Sequence, residues 1–223
     1  MHVEDPQLPL ITAATRRAYD RDASAYADKT DRFSDFPGLE EELERFRGRA
    51  PKGPVLDLGC GAGRDTRHLI SAGHDVISGD LSAELLKLLR AGPSSKPVQL
   101  DLLTLPFRDR VFAGVWASGS LLHIPGSAYP RAFGEIYRVL AEGGATAISL
   151  RDDDKEGWHR GERMDVDRWF TWRRPHDVVR ELIATGFASV EWAYCGRKDW
   201  YIVEAVKTWA PSRRDGERRA GSA

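Results

Sequence analysis

From Gly53 to Leu150 the chain repeats one pattern, a short apolar run followed by a stretch with apolar residues at helical spacing. That alternation specifies a mostly parallel sheet, because parallel neighbours need a long crossover, usually a helix, between them. The segments GPVLDLG (53–59), HDVISGD (74–80), KPVQLDL (96–102), VFAGVWAS (111–118) and ATAISL (145–150) read as five strands. Helices are expected at 65–72, closed by Gly73, at 81–90 with Ser82 as N-cap, and at 128–140, broken by Gly143 and Gly144. Pro175 opens another helix, with Val178, Val179, Leu182 and Ile183 facing inward and Gly186 as its stop. Two last strands, SVEWAYC (189–195) and WYIVEAV (200–206), are close enough in sequence to pair antiparallel.

Around this core, residues 1–50 read as a helical segment that lies over it like a lid. There Tyr19 and Tyr26, seven apart, share a face. Residues 51–207 form the core, and the tail 208–223 has no apolar anchor and reads as disordered. Between the fifth strand and Pro175, residues 152–172 are rich in charge and tryptophan and read as a long loop beside the carboxyl ends of the strands. At 223 residues the chain suits one sizeable domain. A net charge of −1 gives no basic field for nucleic acid or an anionic membrane, so neither is an expected partner. No apolar run approaches the roughly 18 residues of a membrane span, and the first twenty residues do not read as a secretory signal, so a cytoplasmic setting is expected. Cys60 and Cys195 read as free thiols, and His68, His74, His159 and His176 lack metal-ligand spacing, so no metal is expected.

The chemistry is concentrated where strands end. VLDLGCGAG (55–63) turns from the first strand into a helix through Gly59, Gly61 and Gly63, which lets backbone approach a ligand closely. Arg64 stands where a dinucleotide fingerprint has its last glycine, and Asp57 suits a ligand bearing positive charge better than a pyrophosphate. Asp80 ends the second strand, where a carboxylate accepts both hydroxyls of a ribose; by itself this fits a nicotinamide dinucleotide equally well. Asp101 ends the third strand, placed to accept from an adenine amino group, and the fourth strand ends uncharged at Ser118. Together these outline a nucleoside pocket with nothing to hold phosphates.

In order and spacing, VLDLGCGAG, GDLS, LDLLTLPF and VWASGSLLHI resemble the successive motifs of class I S-adenosylmethionine-dependent methyltransferases, over residues 53–150. The flavour is that of the small-molecule enzymes of quinone biosynthesis and natural products. The resemblance implies a Rossmann-like α/β fold, a seven-stranded sheet whose last strand is antiparallel, with helices on both faces. It implies S-adenosylmethionine as methyl donor, S-adenosylhomocysteine as product, and a small-molecule acceptor methylated at oxygen or nitrogen. On that basis Gly59 and Gly61 would shape the turn under the methionine moiety, with Asp57 just ahead of them. Asp80 would bind the ribose, Leu81 would pack beside the adenine, and Asp101 with the Leu102 backbone would take the adenine amino group. Ser118 would offer backbone contact, and Tyr26 would cover the cofactor. Two positions depart from the family pattern: Phe112-Ala113 lacks the usual acid, for which local rearrangement is expected, and Gly79 replaces a bulkier neighbour of Asp80, which loosens the adenine wall.

On the acceptor side, His123 in SLLHIP is the candidate general base, against a packing role under the cofactor. Arg151 is placed to pair with an acidic substrate group or with Asp152 to Asp154. Trp158 and Trp172, with Trp169 and Phe170, either wall a substrate or anchor the 152–172 segment. Tyr19 shares a face with Tyr26 and is expected at the pocket. Asp65 is expected to N-cap its helix and Arg64 to be solvated. Three other functions remain open: a peptide or protein N-methyltransferase using Asp152 to Glu156 to hold an amine, a nucleic-acid methyltransferase, and a non-catalytic cofactor-binding relative.

Overall fold

A computed structural model describes residues 5–89, 96–161 and 163–207; the tail expectation at 208–223 lies outside these described residues. The strands are β1 (Val55–Leu58), β2 (Val76–Asp80), β3 (Lys96–Gln99), β4 (Phe112–Ser118), β5 (Leu140–Arg151), β6 (Lys155–Arg160), β7 (Asp167–Trp172), β8 (Phe187–Tyr194) and β9 (Trp200–Lys207). The helices are α1 (Leu8–Arg21), α2 (Ala23–Thr30), α3 (Leu39–Arg49), α4 (Arg64–Ser71), α5 (Ala83–Lys87), α6 (Tyr129–Val139) and α7 (Pro175–Thr185). Seven strands form one sheet in the order β3-β2-β1-β4-β5-β9-β8. β1 to β5 are mutually parallel, and β9 runs antiparallel to both neighbours. The strand order reverses between β1 and β4, and it is beyond the carboxyl ends of such strands that α/β sheets leave a crevice.

Apolar layers cover both faces. One face packs Leu56, Leu58 and Val115 against Phe133 and Ile136 of α6 and Val178 and Leu182 of α7. The other packs Val55, Val76 and Trp116 against Leu39, Leu43 and Phe46 of α3 and Leu69 of α4. Each such fully buried side chain contributes about 1.5–3 kcal/mol, which fixes α3 to the sheet. Gly114 permits the close approach: a Cβ there would lie 2.8 Å from the Phe46 ring. Thus α3 belongs to the sheet's helical layer, and the part of residues 1–50 that lies over the carboxyl ends is α1 and α2.

Ser82 caps α5 as expected, accepting from Leu85 N at 3.2 Å, and Gly186 ends α7 in the left-handed region at φ 112°. Ile183, expected inward, is 56% exposed; Val178 and Leu182, four apart on one face, already fill the contact with the sheet. The 152–172 segment is no loop. β6 and β7 pair antiparallel, with His159 opposite Arg168 and Trp158 opposite Trp169. Phe112-Ala113 is accommodated by backbone: Ala113 N donates to Pro54 O at 2.8 Å, and a Cβ on Gly53 would come within 2.9 Å of Ala113 Cβ. Among the described residues no helix is long and apolar enough to cross a membrane.

Candidate active site at the reversal of the sheet

The turn after β1 holds its shape through backbone bonds to β2. Gly59 N and Cys60 N both donate to Gly79 O, at 2.7 and 3.0 Å. Gly61 N donates to Asp80 Oδ2 at 2.8 Å, and Ser82 N donates to Asp80 Oδ1 at 2.8 Å. Asp80 is therefore oriented by two amides, with remaining lone pairs facing a cavity lined also by Gly59, Gly61, Leu81, Asp101, Leu102 and Ser118. Burial pushes the Asp80 carboxyl up from its ordinary value, and the amides of Ser82 and Gly61 oppose that. Asp101 accepts from Leu103 N at 2.9 Å through Oδ1, which fixes its carboxylate at the same cavity. The bulk missing at Gly79 is supplied by Leu100, whose Cδ2 lies 2.6 Å from where a Cβ would sit. The space beside Asp80, expected to be loose at Gly79, is therefore filled by Leu100.

The two glycines do different work. A Cβ on Gly59, at φ 84°, would lie 2.3 Å from Ser120 Cβ, whereas one on Gly61, at φ 55°, would meet nothing within 4 Å. Gly59→Ala is therefore expected to lower the melting temperature by several degrees and to weaken ligand binding. Gly61→Ala carries only the left-handed backbone cost of about 1–2 kcal/mol, yet places a methyl group at the cavity. Thermal denaturation with and without S-adenosylhomocysteine checks this; equal effects of the two substitutions would contradict it.

Asp57, expected among the ligand contacts, does not reach the cavity. Its buried carboxylate accepts from Thr66 Oγ1 of α4 at 2.6 Å, and Thr66 Oγ1 lies 3.1 Å from Ser78 Oγ. Burial and the nearby Asp65 charge push the Asp57 carboxyl up. Its role is to brace β1 against α4 behind the turn. Asp65 and Arg64 also differ from expectation. Gly63 stands at the N-cap of α4, while Asp65 is buried at 5% exposure and accepts from Arg64 Nε at 2.7 Å, Arg64 Nη2 at 3.1 Å and Trp116 Nε1 at 2.9 Å. Arg64 is not solvated: its guanidinium lies over the Phe36 ring at 4.2 Å.

A second cavity of about 490 Å³ opens beside the first, and Tyr19, Tyr26, Ser118, Gly119 and His123 line both. The rings of Tyr19 on α1 and Tyr26 on α2 meet edge to face at 5.0 Å. His123 Nδ1 is 2.8 Å from Trp169 O, and a carbonyl only accepts, so Nδ1 carries the proton. Nε2 then accepts from the Tyr19 hydroxyl at 2.8 Å, and that hydroxyl accepts from Arg168 Nη1 at 2.7 Å. Burial and the Arg168 charge hold the imidazole down to about 3, so it is neutral near pH 7. Arg151 and Trp172 line this cavity. Trp158 does not: it sits 42% exposed on the other face of the hairpin, its ring 5.7 Å from that of Trp169.

Several contributors escaped the sequence reading. Arg168 reaches the second cavity because it shares one face of β7, at alternate positions, with Phe170 and Trp172, both already named as candidates. The strand period in DRWFTW carried that signal. Thr15 and Ser120 line the first cavity with buried hydroxyls that lack a partner, and nothing in their local sequence marks them. Such orphaned hydroxyls, the carboxylates of Asp80 and Asp101, and the open space over Gly61 are what a polar nucleoside ligand requires. Among the described residues no group of His, Cys, Asp and Glu could hold a metal ion.

The seven-stranded order with one antiparallel strand beside the sheet's edge is that of the Rossmann-like methyltransferase fold, shared with the solved structure described below. Residues 55–144 match the family model described as a methyltransferase domain. Malonyl-[acyl-carrier protein] O-methyltransferase of Erwinia billingiae is 32% identical over 137 residues, covering 59% of this chain and 54% of that protein. The enzyme of the same name from Pectobacterium atrosepticum is 29% identical over 173 residues, covering 74% and 65%. The chain thus spans between about half and two thirds of the length of these relatives. The crystal structure of Burkholderia thailandensis 1,6-didemethyltoxoflavin-N1-methyltransferase, with 1,6-didemethyltoxoflavin and S-adenosylhomocysteine bound, superposes with a TM-score of 0.72 at 24% identity. That match covers 93% of this chain and 94% of the other, and shows the shared fold.

Proposed function

We propose that this protein transfers a methyl group from S-adenosylmethionine to an oxygen or nitrogen of a small molecule. The observation that carries the reading is the cavity that gathers Gly61, Asp80, Asp101 and Ser118 and meets a second cavity at Tyr19 and His123. Asp80, already oriented by two amides, holds the ribose hydroxyls, and Asp101 with Leu102 takes the adenine edge. Leu81, Leu85 and Leu100 supply its apolar walls, and Tyr26 closes over it. When bound, the cofactor supplies an electrophilic methyl group on a sulfonium. The chain contributes alignment of the acceptor and exclusion of water, the main requirements of an in-line displacement. The second cavity receives the acceptor between Tyr19, Arg151 and Trp172. His123 is a positioning residue: with both nitrogens engaged, it acts on the acceptor through the Tyr19 hydroxyl.

The peptide-amine alternative is disfavoured by where the acidic residues lie. Tyr194 Oη donates to Asp152 at 2.5 Å, Asp153 pairs with Lys155 at 2.5 Å, and Glu156 accepts from Gly126 N at 2.6 Å. The acceptor-side cavity is walled by cations instead. Isothermal titration with S-adenosylhomocysteine tests the reading, and a wild type that does not bind it overturns it. Methyl-transfer assays across phenols, amines and carboxylic acids then test the acceptor side. Tyr19→Phe is expected to leave cofactor affinity nearly unchanged and to lower kcat about tenfold or more, less than the roughly 100-fold or more of a general acid or base because Tyr19 positions the acceptor. An unchanged kcat would remove the Tyr19–His123 pair from the mechanism.

A further inference from the structure

Seven of the residues lining the second cavity are arginine or lysine and two are aspartate, in a chain whose net charge is −1. Three of the cations are balanced within the protein: Arg64 by Asp65, Arg160 by Asp165 and Asp167, and Arg197 by Glu42. Of the other four, Arg163 donates to the Lys29 and Asp35 carbonyls and Lys198 is exposed, which leaves Arg151 and Arg168. Among the described residues neither forms an ion pair, and the Nε of each is buried without a hydrogen-bond partner. Arg168 is only 3% exposed. Its polar contact is the neutral Tyr19 hydroxyl, and its guanidinium otherwise lies over the rings of Tyr19 at 5.0 Å and Phe170 at 5.1 Å. The Arg151 guanidinium lies 5.8 Å from the Trp172 ring, which stacks on Phe170 at 5.6 Å. Two uncompensated guanidiniums therefore flank one aromatic wall of the cavity.

A buried cation without a counter-charge is strongly unfavourable, and aromatic faces recover only part of the lost hydration. Hydrophobic residues of the same size would serve packing better. The guanidinium fork, by contrast, matches the paired oxygens of a carboxylate or phosphate. We propose that the acceptor carries an oxyanion, a carboxylate or a phosphate, held by Arg168 and Arg151 while its carbon skeleton lies on Phe170 and Trp172. The proposal deepens the methyltransferase reading and rests on it for the identity of the ligand as methyl acceptor. It also places Tyr19 beside the bound anion, since Arg168 and the Tyr19 hydroxyl are in direct contact.

The test is titration of the full chain, with and without saturating S-adenosylhomocysteine, using 2-naphthoate, 2-naphthyl phosphate and the neutral 2-naphthamide. The wild type is expected to bind at least one anion tenfold or more tighter than the amide, and the preferred anion identifies the group. Arg168→Met and, separately, Arg151→Met are each expected to abolish that preference. Arg168→Lys, which keeps the charge and loses the fork, is expected to retain part of it. Melting temperature and S-adenosylhomocysteine affinity are measured for every variant, and Arg151→Met carries the test if Arg168→Met does not fold. Anions that bind the wild type no better than the amide, or a preference that survives both substitutions, overturn the proposal. If S-adenosylhomocysteine binds while the anions show no preference, the oxyanion proposal alone fails. If S-adenosylhomocysteine does not bind, the methyltransferase reading fails, and the cofactor-free titration still decides the anion site.

Discussion

Asp65→Ala is expected to destabilise the protein by about 3–5 kcal/mol, the usual consequence of removing one partner of a buried ion pair. For a domain of this size that lowers the melting temperature by roughly 10 °C. The reason lies in what stays behind. Arg64 keeps its place over the Phe36 ring with a side chain 14% exposed, and the indole N–H of the fully buried Trp116 loses its acceptor. Burial opposes ionisation of Asp65, but the Arg64 charge and the hydrogen bonds from Arg64 and Trp116 outweigh it and hold the carboxyl below its ordinary value. Its contribution is accordingly present above about pH 3.9, the unfolded-chain value, and is lost as the pH falls through the lower folded one. Asp65→Asn, which keeps an acceptor for Trp116, should cost less than Asp65→Ala. Thermal and urea denaturation decide the matter, and a shift below about 2 °C would mean that the pair is not buried in solution.

Asp80→Ala is expected to weaken S-adenosylhomocysteine binding by tenfold or more while the sheet still folds. Each tenfold loss corresponds to about 1.4 kcal/mol, and a hydrogen bond to a charged group is worth about 1.5–3 kcal/mol. The substitution removes the proposed ribose contacts together with the acceptor that fixes Gly61 N and Ser82 N. Loosening of the glycine turn therefore adds to the direct loss. Isothermal titration of both proteins at one pH checks it. Wild-type affinity in the variant would leave Asp80 without the role its position gives it.

Much of this architecture is legible in the strand ends. Asp80 ends β2 and Asp101 lies two residues past the end of β3, and a parallel sheet brings such ends to one edge whatever the helices do. The local rules also place the Ser82 cap and the Gly186 stop. Failures occur where one residue has two local options. Asp65, two residues into a helix, reads as a cap until Trp116 and Arg64, one of them distant in the chain, are seen to close around it. Asp57 reads as a ligand contact because it neighbours the glycines, yet alternation along β1 turns it toward Thr66. In residues 152–172 the charges masked a strand period. Arg168, Phe170 and Trp172 face the cavity together, and Trp158 lies on the outside.

By itself the sequence determines the proposed donor side of this protein. The proposed cofactor contacts sit on consecutive strand ends and their turns, so their relative positions follow from strand order and period. The acceptor side is decided by tertiary structure alone. α1, the turn after β4, the end of β5 and the β6–β7 hairpin converge there from far apart in the chain, as the contact of Tyr19 with His123 and Arg168 illustrates. The cationic character of that cavity is likewise invisible in a net charge of −1, because charge sums over the surface whereas recognition depends on which cations are left without partners.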